Sequence, residues 1–147
     1  MGVQESRKNF ESAMHEAFSP LTGASAVPDD VMIALLEQSR DCVKILGIGG
    51  TLDFMNCGGL DALELEDFEG VRGKLWWKLW PEHTQELVKK AFERARAGFD
   101  VQFSAECPTQ RGNMRHWAVS LKPMTTDEGH VVGVLCTSRD VPANGAK

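Results

Sequence analysis

The closing apolar run, VVGVLCTSRDV from Val131 to Val141, carries hydrophobic side chains at odd and even positions alike. Successive side chains of a strand point to opposite faces. Val132, Val134 and Cys136 therefore occupy one face, and Val131 and Leu135 the other. A strand buried on both sides belongs in the middle of a sheet. The final strand of the chain is thus expected at the centre, next to the first strand.

That first strand lies in the stretch 41–56, DCVKILGIGGTLDFMN. Two apolar runs flank Gly49-Gly50, and both central residues of a type I′ hairpin turn need positive φ, which glycine adopts without a steric penalty. By alternation Leu52, Phe54 and Asn56 share a face, with Asp53 and Met55 on the other. Later in the chain Phe99, Val101, Phe103, Ala105 and Cys107 alternate strictly with Asp100, Gln102, Ser104 and Glu106. A turn at 110–113 leads into Trp117, Val119 and Leu121, alternating with His116, Ala118 and Ser120, and Pro123 is read as the end of that strand. A second turn at 127–130 precedes the closing run. These pieces predict an antiparallel five-stranded sheet of order 2-1-5-4-3.

Helical patterns fill the interval and the start. Pro81 suits a first helical position. Leu87, Val88, Ala91, Phe92 and Ala95 give the following helix a buried stripe, and Gly98 stops it. Between hairpin and helix the pattern breaks into one-turn pieces, read at 60–63 and 65–68, and ends in Trp76, Trp77 and Trp80. At least two of these tryptophans should be buried, as core wall or as ligand-contacting wall. At the N-terminus Phe10, Ala13, Met14, Ala17 and Phe18 recur at helical spacing, followed by the linker-like segment 19–28. Asp29-Asp30 then open a helix whose apolar side is read as Met32, Leu35, Leu36 and Ser39. A helix as short as the leader is marginal alone. It docks on the domain, pairs with a second copy or frays, and the pairing makes Phe10, Met14, Phe18 and Leu35 the candidate dimer interface.

Composition narrows the function classes. A chain of 147 residues that is 42% hydrophobic and 25% charged suits one soluble domain. Its net charge of −5 argues against a nucleic-acid partner. No apolar run matches a signal peptide or a membrane span. The four cysteines form no C-x-x-C pair, so a zinc site is not expected, and they are read as reduced thiols of a cytoplasmic protein.

The hairpin ending LGIGGTLDFMN, the Gly73–Pro81 block GKLWWKLWP, the helix ending Ala95-Arg96-Ala97-Gly98 and the close Ser138-Arg139-Asp140 together resemble the PAS domains of bacterial sensor kinases. The resemblance runs from about Val31 to Val141. It implies an α+β PAS fold with helices on one face of the sheet, a cavity, dimerisation through N-terminal flanking helices, and a role in sensing or protein–protein signalling. It divides the chain into an amphipathic helix and linker at 1–30, a PAS domain at 31–141 and a tail at 142–147. In many such proteins Arg-Asp leads into a coiled coil and a kinase. Here Val141-Pro142-Ala143-Asn144-Gly145-Ala146-Lys147 follows. That suggests a free-standing module acting on a kinase or other effector, or a part of a larger receptor.

Specific chemistry is sparse. The dipeptide Asn56-Cys57 matches a flavin photosensor only in composition, since it falls at the hairpin end, and Asn56 is better read as a cap. His83 is the candidate for axial ligation of haem if its turn points inward. With neither flavin nor haem favoured, no cofactor is expected. No nucleophile elbow, phosphate loop or H-E-x-x-H occurs, so the protein is read as a non-enzyme. A small α+β-cone enzyme is disfavoured because the longest helix follows the second strand. A concave sheet under a helix is a default small-ligand pocket. The expected lining is Val43, Ile45, Phe54, Trp80, Phe92, Phe103, Trp117, Val119 and Val134, with Asn56 and His83 as polar handles. The alternatives are a fully packed core and a ligand-free scaffold for protein assembly.

Overall fold

The computed structural model describes residues 29–141. The leader positions Phe10, Met14 and Phe18 and the tail 142–147 lie outside the described residues. Helix α1 (Asp29–Gln38) precedes strands β1 (Cys42–Gly47) and β2 (Leu52–Met55). A short helix α2 (Cys57–Ala62), two 3-10 turns (Trp76–Leu79 and Glu82–Thr84) and helix α3 (Gln85–Arg96) follow. Strands β3 (Val101–Pro108), β4 (Met114–Thr125) and β5 (Val131–Val141) close the fold. The strands form one antiparallel sheet of order β2-β1-β5-β4-β3. The doubly apolar closing run is indeed interior, with Lys44 opposite Cys136 on one side and Leu121 opposite Cys136 on the other.

Each face of the sheet has its own apolar cover. On the inner face Cys42, Leu46, Leu52, Met55, Trp117, Val119, Leu121, Val134 and Cys136 pack with the tryptophans and with Val88, Ala91, Phe92 and Ala95 of α3. On the outer face Ile45, Phe54 and Met124 pack with Ile33, Met32 and Leu36 of α1.

Several expectations shift by a residue or a face, each for a local reason. The hairpin is not a type I′ turn, because Gly50 has a positive φ (94°) and Gly49 does not. Gly50 N–H donates to Gly47 O at 2.9 Å, and Gly47 N–H donates to Thr51 O at 2.8 Å. This is a turn followed by one left-handed residue, the usual three-residue hairpin. The β1–β2 register slips between Ile45 and Leu46, leaving Asp53 unpaired as a bulge. The bulge reverses the alternation, so Leu52 joins the inner core while Phe54 joins the outer one.

On α1 the buried anchor is Ile33, and Leu35 is 63% exposed. Pro81 is extended (φ −56°, ψ 148°), which delays α3 to Gln85 and leaves Leu87 half exposed beside the stripe. Phe99 precedes β3 and stacks under the Arg94 guanidinium instead of entering the core. Segment 65–68 is not helical. Strand β4 continues through Pro123 because β3 begins only at Val101, opposite Leu121, so Pro123 has a ladder neighbour on one side only.

Asn56 ties the first four elements together. Its side chain accepts from Val43 N–H at 2.9 Å and from Gly59 N–H at 2.8 Å, and it donates to Leu36 O at 2.9 Å and Asp41 O at 3.2 Å. Asn56→Asp keeps the shape and both acceptors but removes both donated bonds and buries a carboxylate. Urea unfolding should show a loss of about 2–4 kcal/mol. A loss under about 0.5 kcal/mol, the range of ordinary surface changes, would remove Asn56 from this role.

Candidate functional site

The inner face of the sheet is not filled to its end. A cavity of about 120 Å³ lies between the strands and the segment that carries the tryptophans. The strands contribute Lys44, Met55, Cys107, Trp117 and Ser138, the covering segment contributes Leu63, Leu65, Val71, Trp76, Leu79 and Trp80, and Pro108 and Gln110 lie at the exposed edge.

The covering segment is fixed by backbone pairing with β2. Leu52 N–H donates to Lys74 O and Gly73 N–H to Leu52 O, both at 2.8 Å, and Trp76 N–H donates to Gly50 O at 2.9 Å. These bonds occupy the edge of the sheet and lower the tryptophans onto its inner face. Trp76 meets Trp80 edge-on at 6.0 Å between ring centroids, and both lie near Phe103, at 6.3 and 5.9 Å. Trp77 turns the other way, onto Phe92 at 5.6 Å.

Lys44 is the one charged side chain in the lining. It alternates with Cys42 and Leu46 on the inner face and is 5% exposed. Its ammonium donates to Ser138 Oγ at 3.1 Å. Burial works against the charge, while the sulfur atoms of Cys42, Cys136 and Cys107 favour it and carry the net displacement above the ordinary lysine value. Part of that help is a side-chain hydrogen bond with Cys42. Burial pushes the Cys136 and Cys107 thiols up in turn, so the partners of the desolvated ammonium are the Ser138 hydroxyl and the Cys42 sulfur. Cys42, Cys107 and Cys136 are all free of disulfides.

A clasp closes the edge. Glu64 has a positive φ (59°), uncommon for a residue with a side chain. Its carboxylate accepts from Asn113 Nδ2 at 2.6 Å and from the Thr109 hydroxyl, while Gln110 N–H donates to Leu63 O at 3.0 Å. The loop after α2 is thereby tied to the β3–β4 turn, beside Leu63 and Gln110 of the lining.

The candidate residues divide by face and depth. Trp80 and Trp117 line the cavity. Phe92, Val119 and Val134 are buried in the inner core without reaching it, and Phe103 packs against that core from a half-buried position. Val43 and Ile45 lie on the opposite face of β1 from Lys44, and Phe54 is on the outer face with Ile45. Asn56 is fully buried, and its amide is engaged by backbone. His83 is exposed in the 3-10 turn, outside the lining. Lys44 and Ser138 were not among the candidates. The signal for Lys44 was its position: a lysine in the middle of an apolar strand next to the central one is a buried charge, and those are rare. Among the described residues no cluster of three metal-ligating side chains occurs, and no helix is long and apolar enough to cross a membrane.

A family model described as the PAS fold matches residues 36–143. The chain belongs to the PAS fold family. PAS structures are its neighbours in shape. The PAS domain of a protein from Colwellia psychrerythraea superposes with a TM-score of 0.68 at 14% identity, covering 76% of this chain and 95% of that one. The PAS domain of an HTR-like protein from Haloarcula marismortui gives 0.64 at 21% identity, covering 76% and 90%. The Vibrio cholerae VqmA dimer gives 0.66 at 13% identity, covering 80% of this chain and 53% of that one. No curated protein matches by sequence.

The clasp has a pH dependence with a definite sign. Hydrogen bonds from Thr109 and then Asn113 hold the Glu64 carboxyl below its ordinary value of 4.5. Its contribution is complete above that value and is lost as pH falls through the depressed one. An NMR titration should give Glu64 a midpoint below 4.5, with the Gln110 amide signal moving in step. A midpoint at or above 4.5 would show that the clasp does not hold the ionised form.

Proposed function

We propose that this chain is a sensory PAS module that binds a small molecule in the cavity beneath Trp76 and Trp80 and passes the occupancy on through its outer face. The observation that carries the reading is the cavity itself. It is walled by aromatic rings and supplied with one buried ammonium and one hydroxyl, the pattern of a ligand pocket rather than of close-packed core. A neighbour of the same fold, VqmA, has been solved bound to DPO.

The outer face supplies a route for the signal. Helix α1 packs on the outer side of β1, the strand that carries Lys44 on its inner side. A ligand that favours one packing of β1 shifts the population of α1 positions to the extent that it binds the two packings differently. Val31 (45%) and Leu35 (63%) leave an apolar strip of α1 uncovered. That strip favours contact with a second copy or with a kinase or other effector. It also supports the second reading, a scaffold that assembles proteins without a ligand. The module is read as non-enzymatic and cytoplasmic, without haem or flavin.

The four tryptophans provide a built-in test. Indole or toluene added to the purified chain should shift the NMR signals of Trp76, Trp80 and Trp117, which line the cavity, and leave Trp77 nearly unmoved. No movement at any lining tryptophan with millimolar probe would favour the scaffold. Sedimentation should show Leu35→Lys weakening self-association, and an unchanged oligomer would remove α1 from the contact.

A further inference from the structure

Lys44 does not fit a cavity that exists only as packing. A lysine this buried ordinarily pairs with a carboxylate or gives up its proton. Among the described residues none of the ion pairs includes Lys44. An ammonium has three donors and no acceptor, and its hydrogen-bond partners here are Ser138 Oγ and the Cys42 sulfur, neither of them a carboxylate. The neighbouring thiols are weak acceptors. Ser138 in turn accepts from Lys44 and keeps its own hydroxyl proton, with Cys136 Sγ at a long 3.9 Å, where either group can donate. Both side chains line the cavity, so two donors converge at one end of an otherwise largely apolar space.

Resting on the ligand-site reading above, we infer that the cavity takes a small organic monocarboxylate with a flat apolar body, its carboxylate against Lys44 and Ser138 and its body among Trp76, Trp80 and Trp117. The charge count fixes a single anionic head, because the lining holds one cation. A dianionic phosphate would carry an unmatched charge into an apolar space, and a polyol would lack partners for most of its hydroxyls. The size limits the body. An apolar cavity of about 150 Å³ holds benzene, so the 120 Å³ here, bordered by the exposed Pro108 and Gln110, takes no body larger than a single ring or a short branched chain. Binding supplies an anionic acceptor, which none of the ion pairs among the described residues gives the desolvated ammonium. The bond formed is a charge-assisted one, stronger than its neutral counterpart.

The test compares benzoate with benzamide, which has the same shape without the charge. Both are titrated against the full chain and followed by the Trp117 indole N–H signal. Benzoate should bind about tenfold more tightly or better. Lys44→Met, close in volume and uncharged, should abolish that preference while keeping benzamide binding. The variant without probe should melt at or above the parent temperature, because a buried charge without an anionic partner has been removed. Ser138→Ala is an independent second variant and should weaken benzoate about fivefold with little change for benzamide. Equal binding of the two probes to the parent protein, or a preference that survives Lys44→Met, would overturn the carboxylate assignment and leave the cavity a ligand site. Absence of both probes at millimolar concentration would overturn the two readings together.

Discussion

The buried amide of Asn56 is the fixture on which the front of this domain depends. One side chain satisfies four backbone groups, drawn from the end of α1, the approach to β1, β1 itself and the first turn of α2. Leu36 O also accepts from Ser39 N–H and Gly59 N–H also reaches Asn56 O, so the amide matters most for Val43 N–H and Asp41 O, where losing it costs about a hydrogen bond each. The amide suits the place because it both donates and accepts. By fixing where α2 starts, it also sets where the chain leaves the sheet and returns as cover. Met55, its neighbour, and Leu63, just past α2, both line the cavity.

The two faces of β1 then do different work. Val43 and Ile45 face outward, and Ile45 packs in the small cluster with α1. Cys42, Lys44 and Leu46 face inward, and Lys44 stands opposite Cys136 of the central strand. A change in the seating of the Lys44 ammonium is therefore one strand's thickness from the contact that holds α1. The cover above the cavity is tied on two sides, by the backbone bonds of 73–76 to β2 and the hairpin turn and by the Glu64 clasp to the β3–β4 turn.

The sheet order was legible because β5 is apolar at successive positions, and only an interior strand buries both faces. The stripe Val88, Ala91, Phe92 and Ala95 was legible because helical period and burial agree there. The burial of Trp76, Trp77 and Trp80 followed from their bulk. The faces of β1 were not legible. Both carry apolar residues, and nothing local says which one meets α1 and which meets the tryptophans. The bulge at Asp53 then moved Phe54 across the sheet, an event that strict alternation cannot express. The left-handed Glu64 and the backbone pairing of 73–76 depend on partners distant in sequence. Lys44 was legible in principle, since its strand was known to flank the centre.

The central claim is that the space among Lys44, Trp76, Trp80 and Trp117 accepts a small guest. Diffraction from crystals held under xenon tests it most directly, because xenon enters apolar cavities of this size without needing a particular chemistry. The account predicts one well-occupied xenon site against Trp80 and Trp117, with the sheet unmoved around it. Xenon bound elsewhere while this space stays filled by protein side chains would contradict it.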